Sequence, residues 1–440
     1  MKMKKTIALV LALACCGSMF VGCQSTPGQS SASTAASQTS SAATAKPTTI
    51  SVVTSYGGDD GNKANYETAY KAFEKATGNT VKDMSGTSNE QWKAKIMADF
   101  ETGSEPDVLF YFNGVDSNKL VSGGKVVSIE DIRKVYPDYA SNMKDDLLGA
   151  SPVDNKNYSV PVNGYWEGLF VNKKVLKDCG VEVPSASYTW DQFLKDCGTI
   201  KAKGYSPIAC SLQEVPHYWF EYCVFNHDTL ATHTKLPAAS TDDTGKAWVA
   251  GLNDIKTLYT NGYFPKNTNT AKDAETFQLL YDNKAAFAID GSWKIGDFQK
   301  KVAKNLDDFT VTYVPAQNQR KATDLIGGLS MGYFITKKAW NDPAKQKACV
   351  DFVKAMTTDS VVSTFGATAV TALKNGTTAA NLDSLQQAAV AMTKGATGIV
   401  AATQDGLAQP ARTALFADIK NIAAGKTTAD KALDTALAVK

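Results

Sequence analysis

The chain has 440 residues, with 46 lysines and arginines, 44 aspartates and glutamates and a formal net charge of +2. Such a balanced charge argues against a nucleic-acid partner, because contact with a phosphate backbone usually requires a basic field. This length is sufficient for a large buried core, and it is most naturally divided between two domains.

The first 22 residues have the organisation of a secretory signal peptide. Lys2, Lys4 and Lys5 precede an apolar run from residue 7 to residue 22, which is interrupted only by small residues. The run is short for a membrane span, which needs about 20 residues. We therefore expect residues 1–22 to be the signal peptide of a lipoprotein; an ordinary cleaved signal or a single membrane anchor is the alternative. The remaining chain has 43 basic and 44 acidic groups.

The signal ends at Phe20-Val21-Gly22-Cys23, which resembles a bacterial lipobox. In a lipobox the small residues before the cysteine admit the signal peptidase, and the cysteine thiol receives a lipid. Lipidation of an earlier cysteine would leave too short an apolar core, so Cys23 is the expected site. Residues 24–47 are almost all Ser, Thr, Ala, Gln, Gly and Pro, which is typical of a flexible tether. We expect a palmitate-bearing lipoprotein at the extracytoplasmic face of the bacterial cell membrane.

The cysteines beyond the lipobox have no recognisable spacing. They resemble neither a zinc site nor a Cys-x-x-Cys redox pair. At most two disulfides could form among them, and we expect none. We also expect no metal and no cofactor. These five cysteines are Cys179, Cys197, Cys210, Cys223 and Cys349.

Strands and helices alternate at the start of the globular part. Residues 48–55 are β-branched and alternate in polarity, residues 62–77 have helical spacing, and residues 79–83 form a second strand. A helix at about 90–102 and a buried strand at 108–112 follow. This β-α-β-α-β order predicts an α/β fold with a mostly parallel sheet covered by helices.

Several motifs follow one another along the chain in the order found in one family. The chain resembles the extracellular solute-binding proteins (family 1) that deliver carbohydrates to ABC importers. The motifs are Glu105-Pro106-Asp107-Val108, the V-P…G-L-F-V-N-K segment of residues 160–173, Thr189-Trp190-Asp191, the A-F-A-I-D-G-S-W segment of residues 286–293, Gly327-Gly328 and the helix at 343–356.

The resemblance implies a two-lobed, periplasmic-binding-protein-like (type II) fold with discontinuous lobes and an interlobe hinge. It places chain crossings near Pro161, Asp290 and Ser330. The first lobe is then expected to contain residues 48–161 and 291–329, and the second lobe residues 162–290 and 330–440.

Sugar recognition requires aromatic rings for the C–H faces of a pyranose and planar polar groups for its hydroxyls. In open α/β sheets ligands bind at the carboxyl ends of strands, so aromatic residues beside carboxylates in those loops are candidates. The candidate ligand-binding residues are Tyr56, Asp59, Asp60, Asn113, Asp116, Tyr165, Trp166, Glu167, Glu214, Tyr218, Trp219, Asp290, Trp293 and Gly328.

These candidates differ in their alternative roles. Trp293 matches the family tryptophan that stacks on sugar, and Trp166, in an N-G-Y-W turn, is expected to face the cleft. Asp59 and Asp60 can instead be solvent-exposed residues of a glycine loop without a role in binding. Asp290 can instead hold the D-G-S-W turn together through backbone N–H groups.

Enzyme and metal functions are less well supported. Residues 328–332 have the G-x-S-x-G pattern, but a strand follows it and all three histidines precede its serine. Residues 425–427 lack the earlier glycine of a phosphate loop. His217, His227 and His233 lack metal-ligand spacing. A glycan-acting enzyme remains a rival of a different class, since its paired carboxylates are defined by separation in space.

The sequence therefore predicts a monomeric, lipid-anchored receptor that catalyses nothing. It would capture a sugar or oligosaccharide between two closing lobes and deliver it to the permease subunits of an ABC transporter. A receptor of the same fold for another solute, such as a polyamine, a phosphate ester or a metal chelate, is the alternative.

Overall fold

The computed structural model describes residues 46–58, 60–376 and 380–439. The strands of this part are β1 (Thr49–Val53), β2 (Thr80–Asp83), β3 (Val108–Phe112), β4 (Gly149–Ala150), β5 (Asn157–Ser159), β6 (Tyr165–Asn172), β7 (Ser206–Ile208), β8 (Ala285–Gly291), β9 (Phe309–Thr312), β10 (Asp324–Gly328), β11 (Met331–Ile335) and β12 (Gly398–Val400).

The α-helices of the same part include α1 (Lys63–Thr77), α2 (Glu90–Glu101), α3 (Val115–Ser122), α4 (Ile129–Arg133), α5 (Lys173–Cys179), α6 (Trp190–Ala202), α7 (His217–Phe225), α8 (Asp243–Thr260), α9 (Asp273–Tyr281), α10 (Ile295–Lys301), α11 (Lys337–Trp340), α12 (Gln346–Met356), α13 (Asp359–Phe365), α14 (Ser384–Lys394), α15 (Gln409–Ala423) and α16 (Ala429–Leu437). Among the described helices, none is both long enough and apolar enough to cross a membrane.

The first lobe is built on a four-stranded sheet with the order β11-β3-β1-β2. Strand β1 pairs in parallel with β2 and β3, while β11 joins the edge of β3 antiparallel. The expected β-α-β-α-β order is confirmed, with α1 and α2 as the connections. Helix α1 ends at Gly78, whose φ of 74° is a left-handed conformation that glycine adopts without steric cost.

The second lobe is built on a sheet with the order β12-β10-β6-β8-β7, and β9 pairs with the remaining edge of β6. Side chains of β6 alternate between two hydrophobic clusters, as the two-residue period of a strand requires. Leu169 and Val171 pack with helices α6, α7, α8 and α15, whereas Trp166 and Phe170 pack with α9, α10 and α14.

The structure corrects the expected division of the chain. Residues 291–329 were assigned to the first lobe, but both strands in this segment pair with β6 of the second lobe. These pairings bury Val311 and Leu325 in the second-lobe core. Residues 331–365 instead pack on the first lobe, through β11 and helices α12 and α13. The chain then returns to the second lobe, where Leu415 and Ile419 of α15 pack.

Three crossing segments meet at Gly164. Its backbone N–H donates to the carbonyl of Val370 at 2.6 Å. A Cβ atom at this position would lie 2.6 Å from the carbonyl oxygens of both Gly328 and Val370. Glycine is therefore required here by close approach of the backbones, and the three crossings form one compact hinge.

Candidate ligand-binding site

The loops after β1 and β8 bring the two lobes into contact. A Cβ atom on Gly61, in the loop after β1, would lie 2.2 Å from the carbonyl oxygen of Trp293, in the turn after β8. A Cβ atom on Gly296 would likewise lie 2.7 Å from the Cα of Gly61. The carboxyl ends of strands from both sheets therefore meet at one place, where ligands of open α/β sheets bind.

Five aromatic side chains of the second lobe form a continuous row, which we call the aromatic row. Ring centroids are separated by 6.3 Å between Tyr165 and Trp293 and by 5.8 Å between Trp293 and Tyr218. The row continues with 4.2 Å between Tyr218 and His217, and with 5.1 Å between His217 and Phe416. All five side chains are partly exposed.

The aromatic row draws its members from four separate elements. Tyr165 begins β6, Trp293 follows β8, His217 and Tyr218 begin α7, and Phe416 lies on α15. Three of these residues were candidates from the sequence. His217 and Phe416 were missed, because His217 was considered only as a metal ligand and Phe416 lies in an alanine-rich helix without any local signal.

Two buried carboxyl groups lie beneath the aromatic row, and we call them the carboxyl pair. Glu167 follows Tyr165 by two residues on β6, and Glu221 follows Tyr218 by three on α7, so each shares a face with its aromatic neighbour. The exposed fractions of Glu167 and Glu221 are 3% and 0%. Oε2 of Glu221 accepts a hydrogen bond of 2.7 Å from the amide of Gln404.

The carboxyl pair is held in an environment that disfavours charge. Burial raises the pKa of Glu221 to about 8. Burial, followed by the nearby charge of Glu221, raises the pKa of Glu167 well above its ordinary value. Two carboxyl groups in contact share a proton because both cannot ionise at low cost. The pair therefore retains at least one proton at neutral pH.

Asp290 has a different role at the end of β8. Its Oδ1 accepts from the N–H of Gly291 at 2.7 Å, and its Oδ2 lies 3.5 Å from Nζ of Lys294. Burial raises the pKa of Asp290 to about 7, although Lys294 acts in the opposite direction. Trp293 folds back over Gly291, where a Cβ atom would lie about 2.2 Å from the indole. These contacts hold the D-G-S-W turn.

The candidates Tyr56, Asp60 and Asn113 belong to the first lobe, and Tyr56 is buried in its core, where it packs on neighbouring aromatic rings. The Tyr56 hydroxyl donates to Asn163 Oδ1 at 3.0 Å, and Asn113 Oδ1 accepts from Ser159 at 2.6 Å. Asp60 Oδ1 accepts from the N–H of Asn62, and burial raises the Asp60 pKa to about 7. Asp59, the remaining candidate in this loop, lies outside the described residues.

Asp116 belongs to a buried group of charges that joins the lobes, which we call the ion cluster. Arg412 of α15 lies 2.8 Å from Asp116 on α3 and 3.0 Å from Glu90 on α2. Lys93 lies 3.0 Å from Asp116 and 3.2 Å from Glu90. The Arg412 side chain is only 1% exposed. Asp116 therefore pairs with cations of both lobes, which differs from the direct ligand contact expected from the sequence.

Four further candidates lie away from the aromatic row. Trp166 is buried on the opposite face of β6, and its Nε1–H donates to the carbonyl of Thr368 at 2.9 Å. Trp219 is buried in the second-lobe core. Glu214 is exposed and accepts from the N–H of Asp273. Gly328, with a φ of 147°, lies in the hinge. Adjacent residues of a strand point to opposite faces, so Tyr165 and Trp166 cannot share the cleft.

The remaining chemistry-bearing residues have structural environments. Within the described ranges no cluster of three or more His, Cys, Asp and Glu side chains could hold a metal ion. Burial lowers the pKa values of His217 and His233 to about 3, so both imidazoles are neutral. The five described cysteines are unpaired and buried.

A two-lobed α/β protein with an aromatic row between its lobes has the architecture of a solute receptor. The chain belongs to the family of bacterial extracellular solute-binding proteins, whose family model matches residues 58–363. A multiple sugar-binding protein of Streptococcus mutans is 28% identical over 137 residues, which cover 26% of this chain and 32% of the relative. That match therefore spans about a third of the relative's length.

Solved structures show the same fold. A chitin oligosaccharide binding protein has a TM-score of 0.76 and 22% identity, and the match covers 89% of this chain and 97% of the other. The bacterial solute receptor AcbH, described as having an exclusive preference for β-D-galactopyranose, has a TM-score of 0.73 and 18% identity. That match covers 89% of this chain and 96% of the other.

Proposed function

We propose that this protein is the substrate-binding component of a carbohydrate ABC importer, which captures a sugar or oligosaccharide between its lobes. The observation that carries the proposal is the aromatic row, which presents five partly exposed rings between the lobes. Aromatic faces pack against the C–H face of a pyranose, while carboxylate and amide oxygens accept from its hydroxyls. The names of the relative and of the two solved structures, which all refer to sugars, support this ligand class.

We assign stacking to Tyr165, Tyr218 and Trp293, and hydrogen bonding to Glu167 and Asp60. Asp60 belongs to the first lobe and the other four residues to the second. A ligand can contact both sets only when the lobes are closed, so its binding favours the closed form. The closed form is then the one that docks on the permease.

We also propose attachment to the membrane through a lipid on Cys23, followed by the tether of residues 24–47. Both segments lie outside the described residues, and the proposal rests on their sequence. The lipid would keep a monomeric receptor close to its permease. Cys23→Ser, followed by fractionation of cells into membrane and medium, tests this proposal, because the variant protein should appear in the medium.

The receptor is proposed to catalyse nothing and to return its ligand unchanged. Incubation of the purified mature protein with a panel of sugars, polyamines and phosphate esters distinguishes the alternatives. A rise in the unfolding temperature with a sugar and without product supports the receptor, since a ligand that binds only the native state stabilises it. Appearance of product would identify a glycan-acting enzyme. Stabilisation by non-sugar solutes alone would contradict the carbohydrate ligand.

A further inference from the structure

The carboxyl pair lies on the same two elements as two rings of the aromatic row. Tyr165 and Tyr218, which flank Trp293 in the aromatic row, share the faces of β6 and α7 with Glu167 and Glu221. Burial is the main cause that raises the pKa of the Tyr218 hydroxyl. The nearby carboxyl groups of Asp290, Glu167 and Glu221 raise it further. The pair therefore forms the floor beneath the central part of the row.

Three buried acceptor atoms of this floor have no donor group of the described residues within hydrogen-bond distance. They are Gln404 Oε1 and two atoms of the carboxyl pair, Glu167 Oε2 and Glu221 Oε1, and their residues are at most 3% exposed. Within the pair itself, the only donor is the proton that the two carboxyl groups share. An unpartnered buried acceptor is costly, so this floor is suited to a ligand group with several donors.

The carboxyl pair is surrounded by further acidic groups, and burial raises the pKa values of these groups as well. Asp405 and Asp290 act on Glu167 in the same direction as Glu221, and all of them raise its pKa. Asp405 also raises the pKa of Glu221, whose only hydrogen-bonded amide partner here is Gln404. Tyr165, Tyr218 and Tyr222 are further titratable groups beside the pair, and Tyr222 donates to the backbone carbonyl of Glu167.

The nearby cations are engaged elsewhere. Lys294 lies 3.3 Å from Asp273 and 3.5 Å from Asp290. Lys93 and Arg412 each contact Glu90 and Asp116 in the ion cluster. In the part of the chain that the structure describes, no lysine, arginine or histidine lies within salt-bridge distance of Glu167, Glu221 or Asp405. The negative charge of the carboxyl pair is therefore neutralised by bound protons and not by a cationic side chain.

We propose that this receptor selects a saccharide that carries a protonated amine, and that the ammonium group binds between Glu167, Glu221 and the carbonyl oxygen of Gln404. This inference rests on the proposed function. A hydroxyl offers one donor, whereas an ammonium offers three donors and a positive charge. Bonds from a cation to carboxylates are about twice as strong as neutral hydrogen bonds.

Binding of the ammonium displaces one proton of the carboxyl pair. At about pH 6 both carboxyls are protonated, because burial raises both pKa values, so one carboxyl ionises beside the cation, the other keeps its proton, and the displaced proton leaves to solvent. No covalent bond changes. The ammonium keeps its own three protons, so the exchange balances one proton released for each amine bound.

The test uses ligands that are matched except at one position. Glucose, galactose and mannose, with their β1→4-linked dimers, are each compared as the 2-amino, 2-acetamido and 2-hydroxyl forms by isothermal titration calorimetry. A charge-assisted bond contributes about 1.5–3 kcal/mol, so the amine should bind about 10- to 100-fold more tightly than its matched forms. Equal or tighter binding of a hydroxyl or acetamido form would overturn the amine inference and leave the carbohydrate receptor standing.

Variants assign the preference to the carboxyl pair. Glu221→Gln should reduce the preference for the amine by about tenfold or more, because it removes a charge that pairs with the ligand. Glu182→Gln, at an exposed position of the second lobe, is the control and should retain the wild-type preference. An unchanged amine preference in both Glu221→Gln and Glu167→Gln would overturn the assignment of the ammonium site.

Proton release gives a second measurement. At about pH 6 a sugar amine is already charged, so titrations in two buffers with different ionisation enthalpies report protons from the protein alone. We expect close to one proton released per amine bound, and less in Glu221→Gln. Binding of the amine without any release would overturn the exchange. Stabilisation by spermidine and by no sugar would overturn both this inference and the proposed function.

Discussion

The Nη2 atom of Arg412 lies 2.8 Å from Oδ1 of Asp116, and this contact joins the second lobe to the first. Arg412 also contacts both carboxylate oxygens of Glu90 and the carbonyl of Leu407. Because Lys93 remains beside Glu90 and Asp116 within the first lobe, opening of the lobes removes only the guanidinium from the cluster. The ion cluster is therefore a contact that exists in the closed form.

Arg412→Gln should weaken ligand binding without removing any stacking contact. The closed form loses a buried pair, and removal of one partner of such a pair costs about 3–5 kcal/mol, part of which appears as lost affinity. We expect calorimetry to give a dissociation constant at least tenfold higher than that of the wild type. X-ray scattering, at equal saturation of both proteins with ligand, should give a larger radius of gyration for the variant. Arg133→Gln is the control, since Arg133 pairs with Asp145 inside the first lobe. Unchanged affinity would show that the ion cluster does not contribute to closure.

Trp293→Ala should lower sugar affinity by about tenfold or more, because stacked rings and their buried area contribute most to such sites. Trp293 is only partly buried, so the free energy of unfolding should change little. Trp340→Ala is the matched control, since Trp340 is a partly buried tryptophan that packs on Tyr136 in the first lobe. Loss of affinity in both variants alike would argue against a stacking role for Trp293.

Trp166→Ala should have the opposite profile. Trp166 is fully buried against Phe170, so its truncation should lower the free energy of unfolding by about 3–5 kcal/mol. Urea denaturation measures this loss. A variant of normal stability and strongly reduced affinity would place Trp166 in the site after all.

Stability should decrease as the pH rises through the range in which the carboxyl pair loses its proton. Glu221 has its ordinary value of 4.5 in the unfolded chain and a pKa of about 8 in the folded protein. Between these values the native state binds more protons than the unfolded state, so the free energy of unfolding falls with increasing pH. Glu221→Gln should flatten this slope in denaturation measured from about pH 5 to pH 8, and Glu182→Gln should not. Parallel slopes in wild type and Glu221→Gln would contradict the raised pKa.

Gly164→Ala should destabilise the hinge. Its new Cβ atom would lie 2.6 Å from two carbonyl oxygens of the crossing segments, which must then move apart. Gly198→Ala is the control, because its Cβ atom meets nothing nearer than 3.6 Å and replaces a glycine inside α6. Calorimetric unfolding should show a lower transition temperature for Gly164→Ala, and no decrease for Gly198→Ala. Equal transition temperatures would show that the crossings can separate freely.

Local sequence patterns predicted the first β-α-β-α-β unit, the α/β class and three members of the aromatic row. They could not assign residues 291–329 to a lobe, because that depends on which distant strand β9 and β10 pair with. The alternation of β6 could have separated Tyr165 from Trp166, but the sequence interpretation treated the turn as one exposed loop. Phe416 and Arg412 belong to the site only because α15 packs against it. The spacing of residues along the sequence does not indicate that packing.

The late position of β11 determines when the first lobe can fold during synthesis. The Thr336 hydroxyl bonds to the carbonyl of Asp107 across a sequence separation of 229 residues. Contacts between such distant segments form slowly, because a long loop must close first. A growing chain thus lacks the last strand of its first sheet until three quarters of its length has been made.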